Sequence, residues 1–202
     1  MTSYMRTALA AFGFSLLLAW QFTMGVASAA SFAPKGFDEL VREAEQIFIG
    51  TAGAAISRYN ERRLIVSDVR FDDVQMLKGN AAPRSITLTL LGGKIGDLEM
   101  AIHGAPEFQR GVRYLVFSAG NGSVMFPMVG GPQGIFQIRD DAGGEASRVH
   151  DFNGQPVIVL PARPQAAVSE IGPAQATASG AALSVDEFKA AILRRMNSLP
   201  VP

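Results

Sequence analysis

The fold class of this chain is decided by the stretch Leu64-Ile65-Val66-Ser67-Asp68-Val69-Arg70-Phe71-Asp72. In its second half the apolar residues Val69 and Phe71 alternate with charged residues. A repeat of two predicts a β-strand, because successive side chains of a strand point to opposite faces of a sheet. We therefore expect one face of this strand to contact a core and the other to contact solvent.

Strands of the same kind are predicted on both sides of this stretch. It is preceded by Ile47-Phe48-Ile49-Gly50-Thr51, and the polar residues Tyr59–Arg63 between the two are expected to form a hairpin loop. Further apolar segments, separated by glycine-rich turns, are Ile86–Leu91, Leu98–Ile102, Tyr114–Phe117, Val124–Phe126, Gly134–Ile138, Arg148–Phe152 and Pro156–Leu160. Short strands at close spacing favour a small barrel or sandwich with mainly antiparallel pairing.

Two helices are predicted at the ends of this β-rich region. The segment Asp38–Glu45 places its apolar residues on one face, and its acidic first turn suits the helix dipole. Near the C-terminus, Ser184 and Glu187 have the spacing of a capping box, and Leu183 and Phe188 have that of a hydrophobic staple. We expect this amphipathic C-terminal helix to dock on its own domain, with binding to a partner as the alternative.

The first 29 residues have the layout of a secretory signal peptide. The basic residue Arg6 is followed by the apolar run Ala8–Trp20 and then by the small residues Ala27-Ser28-Ala29. Cleavage is expected between Ala29 and Ala30. An uncleaved membrane anchor is the alternative, but the apolar run is shorter than the roughly 20 residues of a spanning helix.

The remaining chain is predicted to have three parts. An OB-like β-barrel domain is expected over residues 30–160, a flexible linker over residues 161–182, and the C-terminal helix over residues 183–202. The mature protein is predicted to be exported, to the periplasm or to the medium, and to have no membrane span after signal cleavage. Its oligomeric state is not predicted.

The composition excludes several classes of function. The chain has no cysteine, which rules out thiolate metal sites, cysteine nucleophiles, disulfides and a lipid-anchored cysteine. It carries 18 basic and 18 acidic residues. A near-neutral chain has no general electrostatic attraction for nucleic acid, so no nucleic-acid partner is predicted.

Three segments carry a resemblance to a known family, and they are Glu45-Gln46-Ile47-Phe48-Ile49-Gly50-Thr51, Val69-Arg70-Phe71-Asp72-Asp73-Val74-Gln75-Met76-Leu77-Lys78-Gly79 and Phe108-Gln109-Arg110-Gly111-Val112-Arg113-Tyr114-Leu115-Val116-Phe117. Their pattern resembles the strand-and-turn skeleton of the netrin-like domains, the superfamily of the tissue inhibitors of metalloproteinases. The resemblance covers roughly residues 38–138 and implies an OB-like antiparallel barrel. Those inhibitors bind the protease metal through an N-terminal cysteine, which this chain lacks, so their mechanism is not expected here.

The chain offers few residues for catalysis. His103 and His150 are its only histidines, and their separation matches no metal-ligand spacing. No serine stands in a Gly-x-Ser-x-Gly motif. We therefore expect both histidines in loops or at the surface, and we predict no catalytic residue, no metal site and no cofactor. A hydrolase that uses His103 or His150 is kept as an alternative.

The leading functional prediction is an exported, non-enzymatic module that binds another exported protein, for example a protease. Binding residues concentrate on loops held by a rigid scaffold, so contacts are expected on the loops Gly92–Asp97, Ala119–Ser123 and Gly130–Gly134. The candidate residues on these loops are Gly92, Gly93, Lys94, Asn121, Gly130, Gly131 and Gln133. The alternative is a structural component of an envelope assembly, attached through the helix Ser184–Leu199.

Overall fold

The computed structural model describes residues 32–79, 83–141, 146–160 and 181–198. All of these residues belong to the second of the two units into which the chain divides, Ser31–Pro202. The predicted signal peptide lies outside the described residues, and so does all of the predicted linker except its last two residues. Both stay predictions.

Eight strands and two α-helices form the described part of the chain. The helices are α1 (Phe37–Glu43) and α2 (Val185–Ser198). The strands are β1 (Gln46–Tyr59), β2 (Ile65–Lys78), β3 (Ile86–Leu91), β4 (Gly93–Ile95), β5 (Leu98–Met100), β6 (Arg113–Ser118), β7 (Ile135–Asp140) and β8 (Ser147–Asp151).

Six of the strands form one antiparallel sheet in the order β3-β2-β1-β6-β7-β8, and β4 and β5 form a separate hairpin. The prediction of a mainly β protein with antiparallel pairing is therefore confirmed. Among the described residues, no ladder joins the two edge strands β3 and β8. The closed OB-like barrel consequently stays a prediction.

The sheet is buried on both faces, because each face carries its own hydrophobic core. The helix-side core contains the side chains of α1 and α2 together with Ile47, Ile49 and Phe117. The loop-side core contains Phe48 and Phe71 and is covered by partly buried residues between positions 102 and 112. The expected alternation between core and solvent is confirmed for the second half of the quoted stretch in β2. The apolar strand predicted at Tyr114–Phe117 is β6, which is buried on both sides.

Two of the predicted strands are wrong. In the structure both segments are loops, and each loop covers one edge of the sheet. Residues Val124–Phe126 lie in a loop beside β3, where the backbone N–H of Leu91 donates to the carbonyl of Met125 over 2.9 Å. Residues Pro156–Leu160 make only an isolated bridge beside β8. Covering an edge strand satisfies its outward backbone groups and prevents pairing with other chains.

The C-terminal helix docks on the domain, as predicted. Phe188 and Ile192 are fully buried in the helix-side core, and the ring of Phe188 lies 5.6 Å from that of Phe37 in α1. Arg195 forms an ion pair with Asp38 of α1 at 2.7 Å. Since the apolar face of α2 is used inside the fold, it is not a free attachment surface.

The predicted capping box is confirmed. The backbone N–H of Ser184 donates to the Glu187 carboxylate over 2.8 Å, and the backbone N–H of Glu187 donates to Ser184 Oγ over 3.2 Å. These reciprocal bonds satisfy two backbone donors that the first turn of α2 would otherwise leave open. They also fix the start of the helix at Ser184, which forms an isolated bridge with Arg148 of β8.

We expect Phe71→Ala to lower the free energy of unfolding by about 3–5 kcal/mol, because it opens a cavity in the loop-side core. The Phe71 ring contacts those of Phe48 and Phe108 at centroid distances of 5.3 and 5.0 Å. Denaturant unfolding measures the change. The matched control is Ile56→Ala in the paired strand, since Ile56 is 70% exposed and should change stability by less than about 0.5 kcal/mol. Equal losses would contradict the assigned core.

The capping box also predicts a pH dependence. Hydrogen bonds from the Ser184 backbone and hydroxyl lower the pKa of Glu187 below its ordinary value of 4.5. Its stabilising effect is therefore present above that value and is lost as the pH falls through the folded-state pKa. We expect wild type to be more stable than Glu187→Gln at neutral pH, with the difference shrinking on acidification in denaturant titrations. A difference independent of pH would refute this role of the carboxylate.

Candidate functional site

The first predicted binding loop is a β-hairpin that packs on the main sheet. Gly93 and Lys94 belong to β4, and Gly92 precedes it. The backbone N–H of Lys94 donates to Ser57 Oγ over 3.1 Å, and Ser67 Oγ donates to the Gly92 carbonyl over 2.8 Å. A Cβ on Gly93 would lie 2.2 Å from Ser67 Oγ, so glycine is needed for this close approach. The Lys94 side chain is exposed.

The second predicted loop holds the outer edge of β3. Asn121 Oδ1 accepts from the backbone N–H of Thr89 over 3.0 Å, and Asn121 Nδ2 donates to the Thr87 carbonyl over 2.7 Å. The amide of Asn121 thus takes the place of a neighbouring strand. Its side chain is committed to the fold although it is exposed to solvent.

The third predicted loop fixes the segment that leads into α1. The Gln133 side chain accepts from the backbone N–H of Lys35 over 2.8 Å and donates to the carbonyls of Ala33 and Gly130. Gly130 and Gly131 have positive φ angles of 68° and 60°. A Cβ on Gly131 would lie 2.6 Å from the Phe32 ring. These residues contact their own chain, and the structure does not bring the three predicted loops together into one site.

Neither histidine lies in a catalytic arrangement. His103 is exposed in a turn, and His150 lies on β8 with a buried Nδ1 that has no hydrogen-bond partner. Neither is hydrogen-bonded to a serine or a carboxylate within the described residues. In the same part of the chain, no three acidic or histidine side chains are grouped as a metal site requires.

A different site lies at the free end of the β1–β2 hairpin. β6 pairs with β1 only from Gln46 to Thr51, so the rest of β1 pairs with β2 alone. A groove of about 680 Å³, which we call the tip groove, lies between this end of the hairpin, β3 and the loop at residues 122–125. It is lined by Arg58, Asn60, Glu61, Arg62, Leu64, Val66, Thr89, Leu91, Gly122, Ser123, Val124 and Met125.

Both walls of the tip groove are held by hydrogen bonds. In the hairpin wall, Asn60 Oδ1 accepts from the backbone N–H groups of Arg62 and Leu64 over 3.0 and 2.9 Å. In the opposite wall, the bond between Leu91 and Met125 and those of Asn121 fix the loop to β3. The groove is therefore formed before any ligand arrives.

The groove exposes apolar side chains. Leu64 is 37% exposed, Val124 is 49% exposed and Met125 is 50% exposed, and they lie on both walls. Contiguous exposed apolar residues with a polar rim are typical of interaction surfaces. Methionine adapts its shape to different partners because its side chain is unbranched and flexible.

An ion pair lies along the groove. Arg58 Nε donates to Asp68 Oδ2, and Thr89 Oγ1 donates to Asp68 Oδ1 over 2.6 Å. Partial burial acts to raise the pKa of Asp68, but the hydrogen bonds from Arg58 and Thr89 and the charge of Arg58 outweigh it, so the pKa lies below its ordinary value. Asp68 is therefore ionised at neutral pH, and Arg58 is already paired.

Arg62 and Arg63 at the hairpin end differ from Arg58. Both are exposed, and neither side chain has an acceptor or ion-pair partner within the described residues. Arg63 also has a positive φ of 58°, a conformation that costs a non-glycine residue about 1 kcal/mol. Two free guanidinium groups beside an apolar groove can bind carboxylates through paired hydrogen bonds.

This site was not predicted from the sequence. The residues Tyr59–Arg63 indicated only a polar loop, and Val124–Phe126 indicated a strand. A local signal was available, because two adjacent arginines stand beside the apolar residues Tyr59 and Leu64. Their meeting with Val124 and Met125 depends on contacts between segments about 60 positions apart, which no local pattern contains.

Comparisons of the chain with protein-family models, with curated proteins and with solved structures gave no match. The resemblance to the netrin-like domains therefore stays a prediction. No helix in the described ranges is both long and apolar enough to cross a membrane.

The packing at Gly93 predicts that this loop residue is structural. We expect Gly93→Ala to lose about 1–3 kcal/mol of unfolding free energy through backbone strain, and more through its clash with Ser67 and Ser57. Gly96→Ala is the matched control, because Gly96 also has a positive φ but has open space around it. Thermal or denaturant unfolding should show a clearly larger loss for Gly93→Ala. Similar losses would mean that the close approach is unimportant.

Proposed function

We propose that this protein is an exported, non-enzymatic module that binds another protein through the tip groove. One observation carries the proposal: the groove combines half-exposed apolar side chains with the exposed Arg62 on a prearranged backbone, and Arg63 follows at the same hairpin end. Apolar anchors supply most of the energy of protein interfaces, and a preformed site avoids the entropy cost of ordering loops on binding.

Binding is favoured over catalysis by the residues available in the groove. The charged residues that line it are Arg58, Glu61 and Arg62, and Arg58 is paired with Asp68 outside the lining. General acid–base or nucleophilic catalysis needs a nucleophile within hydrogen-bond reach of a base. No such pair of side chains is hydrogen-bonded in the groove, and neither histidine lines it.

The alternative of an assembly component attached through α2 has less support. Phe188, Ala191 and Ile192 of that helix are buried in the helix-side core. Leu193 is exposed, but a single exposed leucine is normal for a protein surface. Removal of α2 would therefore disturb the core of the domain itself.

We also propose that the sheet is the OB-like arrangement of a netrin-like domain. Support comes from the two long strands β1 and β2, whose pairing is interrupted by register shifts that bend the hairpin. Further support is that the sheet is covered on both faces, with both helices on one side. Inhibition of a protease is not part of the proposal, because no residue here corresponds to the inhibitory cysteine.

Export is part of the proposal and rests on the signal-peptide pattern of residues 1–29. The partner is accordingly expected in the same compartment. The N-terminus of the exported chain, read by sequencing, is expected at Ala30.

Site-specific crosslinking tests the binding surface. A photoreactive amino acid at Val124 is expected to capture a defined exported protein when the full chain is expressed in its exported form. The same probe at Leu193 is the control, since that residue is similarly exposed but lies on α2. We expect Met125→Asp to reduce the Val124 crosslink, because it places a charge among the apolar anchors.

Two results would overturn the proposal. One is the absence of a crosslink from Val124. The other is a crosslink of equal yield from Leu193, or one that Met125→Asp leaves unchanged. Circular dichroism of the Met125→Asp variant establishes that the fold is retained, as expected for an exposed position.

A further inference from the structure

We infer that the partner of the tip groove presents an acidic segment with interspersed apolar side chains, and that side chains rather than strand addition mediate its binding. The inference rests on the proposed function and specifies the chemistry of the ligand. It follows from two independent observations, the state of the sheet edges and the charge state of the groove.

The first observation is that the chain itself occupies the edge of β3 beside the groove. The outward N–H groups of Thr89 and Leu91 donate to Asn121 Oδ1 and to the Met125 carbonyl, and the Thr87 carbonyl accepts from Asn121 Nδ2. An incoming strand would have to displace these bonds. Strand addition is therefore disfavoured at this edge.

The opposite edge of the sheet is occupied in the same way. The N–H of Val149 donates to the Leu183 carbonyl over 2.9 Å, and the N–H of Asp151 donates to the Gln155 carbonyl over 2.8 Å. A partner at the edge of β3 or β8 therefore finds few free backbone groups. At the tip groove, which lies beside β3, recognition has to come from exposed side chains.

The second observation is that the free charge of the hairpin end is positive. Asp68 neutralises Arg58, which leaves two exposed arginines at the hairpin end: Arg62, which lines the groove, and Arg63, which follows it in sequence. The acidic residue of the groove lining is Glu61. Guanidinium groups bind carboxylates with fixed, bidentate geometry. Like-charge repulsion would act against a basic ligand at the same place.

The apolar residues define the rest of the ligand. Leu64 lies next to the two arginines in sequence, and Val124 and Met125 lie across the groove. A ligand that contacts both walls needs carboxylates to bind the arginines and apolar side chains to cover these three residues. A purely acidic chain would leave the apolar side chains exposed, and a purely apolar chain would leave the arginines unpaired.

The probe for this inference is a synthetic peptide of alternating glutamate and leucine with blocked ends. A lysine–leucine peptide of the same length is the charge-reversed control. Fluorescence anisotropy with the mature full chain measures binding. We expect the glutamate peptide to bind and to weaken as salt is raised, since exposed charge pairs are screened.

Charge reversal identifies the residues. The double variant Arg62→Glu/Arg63→Glu should weaken binding of the glutamate peptide by about tenfold or more. Arg110→Glu is the matched control, because Arg110 is exposed in a loop that does not line the groove and should leave affinity unchanged. The double variant should in turn bind the lysine peptide better than wild type does.

The inference is overturned if the glutamate peptide does not bind, if the lysine peptide binds equally well, or if Arg110→Glu matches the double variant. These results are separable from failure of the proposed function. If the Val124 crosslink persists and still depends on Met125 while charge reversal has no effect, the groove binds a protein but has no preference for acidic residues. If Met125→Asp leaves the Val124 crosslink unchanged, the proposed function itself fails.

Discussion

Burial of both faces of the first half of β1, from Ile47 to Ala52, is the constraint on which the rest of this structure depends. Ile47 and Ile49 contact the helix-side core, whereas Phe48 and Ala52 contact the loop-side core. β1 also pairs with β2 on one side and with β6 on the other. A central strand of this kind has no solvent face, so helices must cover one side of the sheet and loops must cover the other. Without disulfides, this packing and the backbone pairing hold the described domain together.

The loops follow from the same constraint. Glycine-rich segments that lie over a sheet can satisfy their backbone groups only by bonding to it or to one another. Asn121, Gln133 and Gly93 each contribute to such contacts, which gives these conspicuous loop residues structural roles. The proposed binding site lies where this coverage ends. The end of the β1–β2 hairpin extends past the pairing with β6, and its apolar residues are only partly covered.

The hairpin end and the core therefore differ in physical character. In the core, apolar side chains are removed from water and aromatic rings pack against one another, as Phe71 packs against Phe48 and Phe108. At the tip groove, comparable apolar side chains stay half-exposed beside Arg62, whose side chain has no partner in the part of the chain that the structure describes. A strained backbone at Arg63 is maintained at the same turn. Exposed apolar surface and backbone strain both cost stability, and their coincidence at this end of the hairpin supports the proposed binding role.

Local sequence signals by themselves determined the β class, the hairpin around Tyr59–Arg63 and the start of α2. The alternation at Val69 and Phe71 and the spacing of Ser184 and Glu187 act over two or three residues, so the chain displays them directly. Only the tertiary structure decided the strand order, the two cores, the structural roles of the loop residues and the tip groove. Each of these depends on contacts between segments distant in sequence, such as Gly93 with Ser67 or Leu91 with Met125, and such contacts arise only when the sheet assembles.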